Sequence, residues 1–216
     1  MRLRNAGSVW PVVHHERMAL LRDLEDLAPV KWQTPSLCVG WDVHEVLAHL
    51  IDAAGTTRRG FIRRMVASGL DFDKDNAVGL TRELRSDPQE TLVAFAAVLG
   101  RTSTPPAPLA TRLVEAFAHG EDIRRPLLIR RNYPPTHVAI ALAHQLKTSV
   151  KFGGAREPVA GSRLVGTDVE FSHGAGPEVR GRGIDLLLAV CGRPVRSGLL
   201  AGEGVSGLAA RIAAKP

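Results

Sequence analysis

Cysteine is scarce in this sequence, aromatic residues are few, and long apolar runs are missing. Only Cys38 and Cys191 occur among 216 residues, far apart and in no C-x-x-C spacing. That excludes a disulfide framework and a cysteine-built zinc site, and it fits a reducing compartment. Aromatics make up 5% of the chain, and none is interleaved with the short clusters Arg58-Arg59, Arg63-Arg64, Arg124-Arg125 and Arg130-Arg131. A face for single-stranded nucleic acid needs such stacking residues. The longest apolar run, "LLLAVC", is too short to span a bilayer. The N-terminus "MRLRNAGSVWPVV" is basic but has no apolar h-region, so no export signal is expected there. The expectation is a cytoplasmic chain with no nucleic-acid and no membrane partner, either monomer or homodimer. The net charge of +6 does not by itself choose between anionic ligands and a solvated basic surface.

A hydrophobic share of 44% is enough for a core, in one large domain or a main domain with an appendage. Val13, Leu20, Leu24 and Leu27 at helical spacing predict a first helix over residues 10–27. In "GWDVHEVLAHL", Asp42 can cap and Glu45 can complete a capping box, so a second helix begins at Val43 and is expected to run to about Gly69. Residues 69–86 read as a connection. Asp87, Pro88, Glu90 and Gly100 punctuate a third helix. A fourth is predicted over residues 109–123, and a further one over 135–150. Beyond "FGGAREPVAG" the texture changes. "RLVGTDVEFSHGAGPEVRG" alternates apolar and polar residues as short antiparallel strands do, and "IDLLLAVCGRP" and "VSGLAARIAA" read as short helices. The division is placed between residues 1–154 and 155–216.

One stretch carries chemistry. In "RLVEAFAHGED", Glu115 and His119 are four residues apart and share a helix face beside the apolar stripe. On the second helix His49 falls on the flank of the apolar face, next to the small residues Ala53 and Gly60. The pair alone reads more readily as a solvated surface pair, and His49 alone as a core-edge imidazole bonded to a carbonyl. Together they form a His, Glu, His set from two helices, which suits zinc or another borderline divalent ion with coordination positions left open. Asp122 either orients these ligands or pairs with Arg124 or Arg125. Cys38 reads as packing. Arg112, Arg124 and Arg125 are candidates for holding the carboxylates of an anionic substrate. "HGAGPEVRGRG" lacks the strand-then-helix setting of a phosphate loop.

"TPSLCVGWDVHEVLAHL", "RLVEAFAHGEDIRRP" and "LVGTDVEFSHGAGPEVRGRGIDLLLAVCGRP" resemble the mycothiol-dependent maleylpyruvate isomerase family, of the DinB-like metal-binding superfamily. The resemblance implies a mainly α fold: a DinB-like four-helix bundle with a small C-terminal α/β domain of sterol-carrier type. It implies metal ligands at His49, Glu115 and His119, an accompanying acid at Asp122, and a catalytic arginine in the tail. Arg193 is the first candidate for that arginine, with Arg180 and Arg182 behind it. Phe171 stands where relatives carry Trp. The implied cofactors are a divalent metal, zinc foremost, and mycothiol, whose metal-bound thiolate adds to a small electrophile in an isomerase or a thiol S-transferase. The alternative is a non-catalytic metal- or ligand-binding DinB-like protein.

Overall fold

The computed structural model describes residues 9–214. Residues 1–8, which carry part of the export-signal reading, lie outside the described residues. No described helix is long and apolar enough to cross a membrane. The chain divides into two compact units, Met1–Arg131 and Asn132–Pro216.

In the first unit four helices form a bundle: α1 (Val9–Leu24), α2 (Val43–Gly55), α5 (Pro88–Ala96) and α6 (Ala110–Arg124). Each of α1 and α2 packs against both α5 and α6. The apolar stripe legible in the sequence is what closes the ring: Leu20 and Leu24 from α1, Val46 and Leu50 from α2, Phe95 from α5 and Ile123 from α6 share one core. Asp42 begins α2 as expected, its side chain accepting the Glu45 N–H while the Glu45 carboxylate accepts the Asp42 N–H. Asp87 caps α5, with Pro88 in the first turn.

Two expectations give way. The second helix does not run to Gly69. It stops at Gly55, Thr56 is extended at φ −70° and ψ 111°, and Thr57 caps a new helix, α3 (Arg58–Ala67), by accepting the Gly60 N–H. A threonine pair offers side-chain oxygens that compete with the helical ladder, and apolar periodicity does not register this. The connection over residues 69–86 holds a helix, α4 (Phe72–Glu83), capped by Asp71. It escapes periodicity because polar contacts fasten it. Arg64 reaches from α3 to Asp75 of α4 and Asp52 of α2, at 2.8 and 2.9 Å, and Arg82 of α4 also bonds Asp52. Gly79 permits the approach, since a Cβ there would collide with the Asp52 carboxylate. Burial opposes the Arg64 charge, but hydrogen bonds to Asp75 and Asp52 outweigh it and raise the guanidinium pKa above its ordinary value.

The second unit holds α7 (Pro135–Lys147), α8 (Arg156–Val159), β1 (Arg163–Gly166), β2 (Ser172–His173), β3 (Glu178–Gly181), α9 (Gly183–Val190), β4 (Leu200–Ala201) and α10 (Val205–Ala213). The boundary expected at 154/155 falls after α7, whereas α7 belongs to this second unit and packs on α9. The sheet order is β2-β1-β3-β4, and β1 pairs with β3 in parallel, where antiparallel strands were expected throughout. The chain passes β2 along one edge of β1 and crosses to the other, and alternation cannot report strand direction. Ile184, Leu186, Leu187 and Leu188 bury α9 between the sheet and α7. The fold is mainly α with a small α/β unit.

Candidate metal centre

The loop before α2 is tied to itself. Pro35 bridges Asp42, Ser36 Oγ donates to the Trp41 carbonyl at 2.8 Å and accepts the Cys38 N–H at 3.0 Å, and the Trp41 N–H donates to the Cys38 carbonyl at 3.1 Å. Gly40, at φ +82°, occupies the third position of that turn, where a type II turn calls for glycine. The Leu37 N–H donates to the Asp122 carbonyl at 3.2 Å, which fastens the loop to α6. "PSLCVGW" is therefore a clip that carries Cys38 and Trp41 to the helix bearing His119.

His49 from α2 and His119 from α6 meet edge to face, ring centroids 4.8 Å apart. The Trp41 ring also lies against His49, centroids 5.1 Å apart. His49 is 9% exposed and Asp122 fully buried. His119 Nδ1 and Asp122 Oδ2 are 2.9 Å apart, so the carboxylate accepts the Nδ1 proton and directs Nε2 elsewhere. Cys38 Sγ joins them: ligand atoms of Cys38, His119 and Asp122 all lie within 4.8 Å of one another.

Glu115 shares the helix face of His119, but two arginines hold it. Arg112 Nη1 is 2.9 Å from Glu115 Oε2 and Arg17 Nη2 is 3.8 Å from Oε1. Burial pushes the Arg17 guanidinium below its usual pKa, with Glu115 opposing the shift. The structure thus brings two of the three expected ligands, His49 and His119, together. The third stands among arginines that compete for its oxygens.

The donors fit a borderline divalent cation. Imidazole nitrogen, carboxylate oxygen and thiol sulfur are what zinc accepts, and an imidazole whose second nitrogen bonds a carboxylate is the usual ligating form. The arginines expected to face an anionic substrate are engaged internally. Arg112 donates to Glu115 and to the Ala53 carbonyl, Arg124 is fully buried against Asp23 and Glu16, and Arg125 pairs with Glu121. Asp122 is hydrogen-bonded to His119. In the second unit Arg193 Nη1 donates to the Cys191 carbonyl, while Arg180 and Arg182 make surface pairs with Glu178 and Asp168.

Residues 13–96 match the model of the mycothiol maleylpyruvate isomerase N-terminal domain. No curated protein matches the chain. Among solved structures, a crystal structure of the mycothiol-dependent maleylpyruvate isomerase is similar with a TM-score of 0.61 at 15% identity, covering 90% of this chain and 91% of that one. A histidine-to-alanine mutant of that enzyme gives a TM-score of 0.64 at 13% identity, with the same coverage of 90% and 91%. Over residues 13–96 the chain is therefore similar to the mycothiol maleylpyruvate isomerase N-terminal domain, and it shares the fold of those crystal structures.

Proposed function

We propose that the chain is a metal-dependent enzyme that uses mycothiol as its thiol, of isomerase or S-transferase type, acting on a small electrophile. The observation that carries the reading is the meeting of His49 and His119, drawn from two helices to 4.8 Å. The domain match over residues 13–96 supports it. A divalent cation held there, zinc foremost, would depress the pKa of a bound thiol from about 8.5 and so supply thiolate near neutral pH.

His49, Glu115 and His119 are the proposed ligands. Asp122 keeps the Nδ1 proton of His119 and leaves Nε2 to ligate. Trp41 packs against the His49 ring and helps to hold its orientation. Arg17 and Arg112 position the Glu115 carboxylate. Arg193 is the proposed catalytic arginine of the C-terminal unit. A small-molecule substrate and a cytoplasmic setting go with this reading.

Metal content and thiol-dependent turnover test it. The protein should hold about one ion per chain, as a single three-ligand site does. His49→Ala and His119→Ala should each lose it, and turnover should require added mycothiol. Unchanged metal content in both variants removes the site. A metal-loaded protein idle with mycothiol across a panel of electrophiles leaves the non-catalytic, ligand-binding reading.

A second ligand set is favoured by one observation, the approach of Cys38 Sγ to His119 and Asp122. In it the thiol takes the place proposed for Glu115. Cobalt loading separates the two: thiolate-to-cobalt charge-transfer absorption that vanishes in Cys38→Ser puts sulfur on the ion. No such absorption, with metal lost in Glu115→Gln, puts the carboxylate there.

A further inference from the structure

A cavity of about 440 Å³ opens in the first unit where α2, α3, α4 and α5 come together. Neither Cys38, His49, Glu115, His119 nor Asp122 lines it. Its wall carries five guanidinium groups, from Arg63, Arg64, Arg82, Arg85 and Arg101, against the two carboxylates of Asp52 and Glu83. The carboxylates are already engaged. Asp52 bonds Arg64 and Arg82, and Glu83 pairs with Arg82 and, at 3.8 Å, with Arg85. Among the described residues no carboxylate pairs with Arg63 or Arg101, and both side chains are exposed. Two cations left without a carboxylate partner in one concave wall raise the local potential for an anion.

The backbone adds to this field. Thr56, Thr57 and Gly60 bring the N-terminus of the ten-residue α3 to the cavity. That end of a helix carries partial positive charge and unsatisfied N–H groups, and it favours an acidic first turn. Here the first turn holds no acid and begins Arg58-Arg59. Arg101 lies close to Gly55 across the opening, its Nη1 at contact distance from where a Cβ would stand. The volume is that of a small-molecule site, and no aromatic side chain lines it, as a stacking site for nucleotide bases would require.

We propose that this cavity binds a small polyanion bearing at least two carboxylate or phosphate groups, with Arg63 and Arg101 as its free cationic arms and the positive end of the α3 dipole adding to the field. Arg64, Arg82 and Arg85 are balanced by Asp52, Asp75 and Glu83 and shape the wall, which leaves Arg63 and Arg101 as its excess charge. The inference does not rest on the metal centre, and the site should work in metal-free protein.

Calorimetric titration of the chelator-treated full chain with pyrophosphate, with citrate and with a short single-stranded oligonucleotide tests it. Saturable binding of pyrophosphate or citrate is expected, and the stronger of the two identifies the anion class. Arg63→Ala and Arg101→Ala should each weaken it about tenfold or more, the loss expected of one charge-assisted hydrogen bond. Arg63→Lys should recover part of the affinity, and Arg130→Ala, an exposed arginine elsewhere, should leave it unchanged. Both cavity arginines are exposed and unpaired, so their variants should melt with the parent protein, which a thermal scan checks. Three results overturn the proposal: no saturable binding at low salt, equal weakening by Arg130→Ala, or tighter binding of the oligonucleotide than of either small anion.

Discussion

His119 and Asp122, one helical turn apart on α6, share a hydrogen bond of 2.9 Å between Nδ1 and Oδ2. Because Asp122 is fully buried, water does not compete for that carboxylate, and the imidazole is fixed in tautomer and direction. Asp122→Asn preserves the shape and removes the charge. It should weaken zinc affinity by about 10–100-fold, the usual effect of losing a partner behind a ligating histidine. Competition against a chromogenic chelator measures this, and an unchanged affinity would mean that His119 needs no orienting carboxylate.

Arg64 joins three helices through two buried acids. Its side chain is 16% exposed, those of Asp52 and Asp75 3% and 8%. Arg64→Leu leaves those acids facing each other with Arg82 as the remaining cation, and removing one partner of a buried ion pair costs about 3–5 kcal/mol. Urea unfolding should show a loss of that order, with amide exchange in α4 rising first. A loss under about 1 kcal/mol, the range of exposed pairs, would contradict the picture of α4 as an ion-fastened helix.

His44 sits near the start of α2 with Nε2 2.7 Å from Thr91 Oγ1 and its ring against Trp32. Burial lowers its pKa below the free value of 6.5, and Asp42 opposes the shift without reversing it. The folded state therefore binds fewer protons than the unfolded chain. The stability tied to neutral His44 is complete above 6.5 and falls as pH drops below it toward the folded pKa. Chemical denaturation between about pH 7 and pH 5 should show this decline, and His44→Gln should flatten it. His144 in the second unit, also lowered by burial, contributes in the same direction. An identical slope in His44→Gln would assign the decline to other groups.

Local chemistry written into adjacent residues was legible from the sequence: the Asp42 and Glu45 capping box, the Asp87-Pro88 start and the apolar face of α6 all recur in the structure. Contacts across the chain were not. α4 was hidden because its anchors, Asp75 and Arg82, bond partners on α2 and α3 and leave no apolar stripe. His49 and His119 could be placed on facing flanks by periodicity, and they meet. Glu115 could be placed on the His119 face, but its arginine partners Arg17 and Arg112 could not be foreseen, since Arg17 comes from a helix far back in the chain. Cys38 read as packing because no spacing rule connects a loop thiol to a helix so distant in sequence. The Gly-Trp dipeptide after it was the available signal, a tight turn that fixes where the thiol points.

The clip over residues 35–42 closes upon itself and onto α6 through backbone and hydroxyl bonds that involve none of the candidate donor atoms. Those bonds place sulfur and indole beside the imidazoles at one corner. An ion held at the proposed site should raise the melting temperature of the chain by an amount set by how tightly it is held.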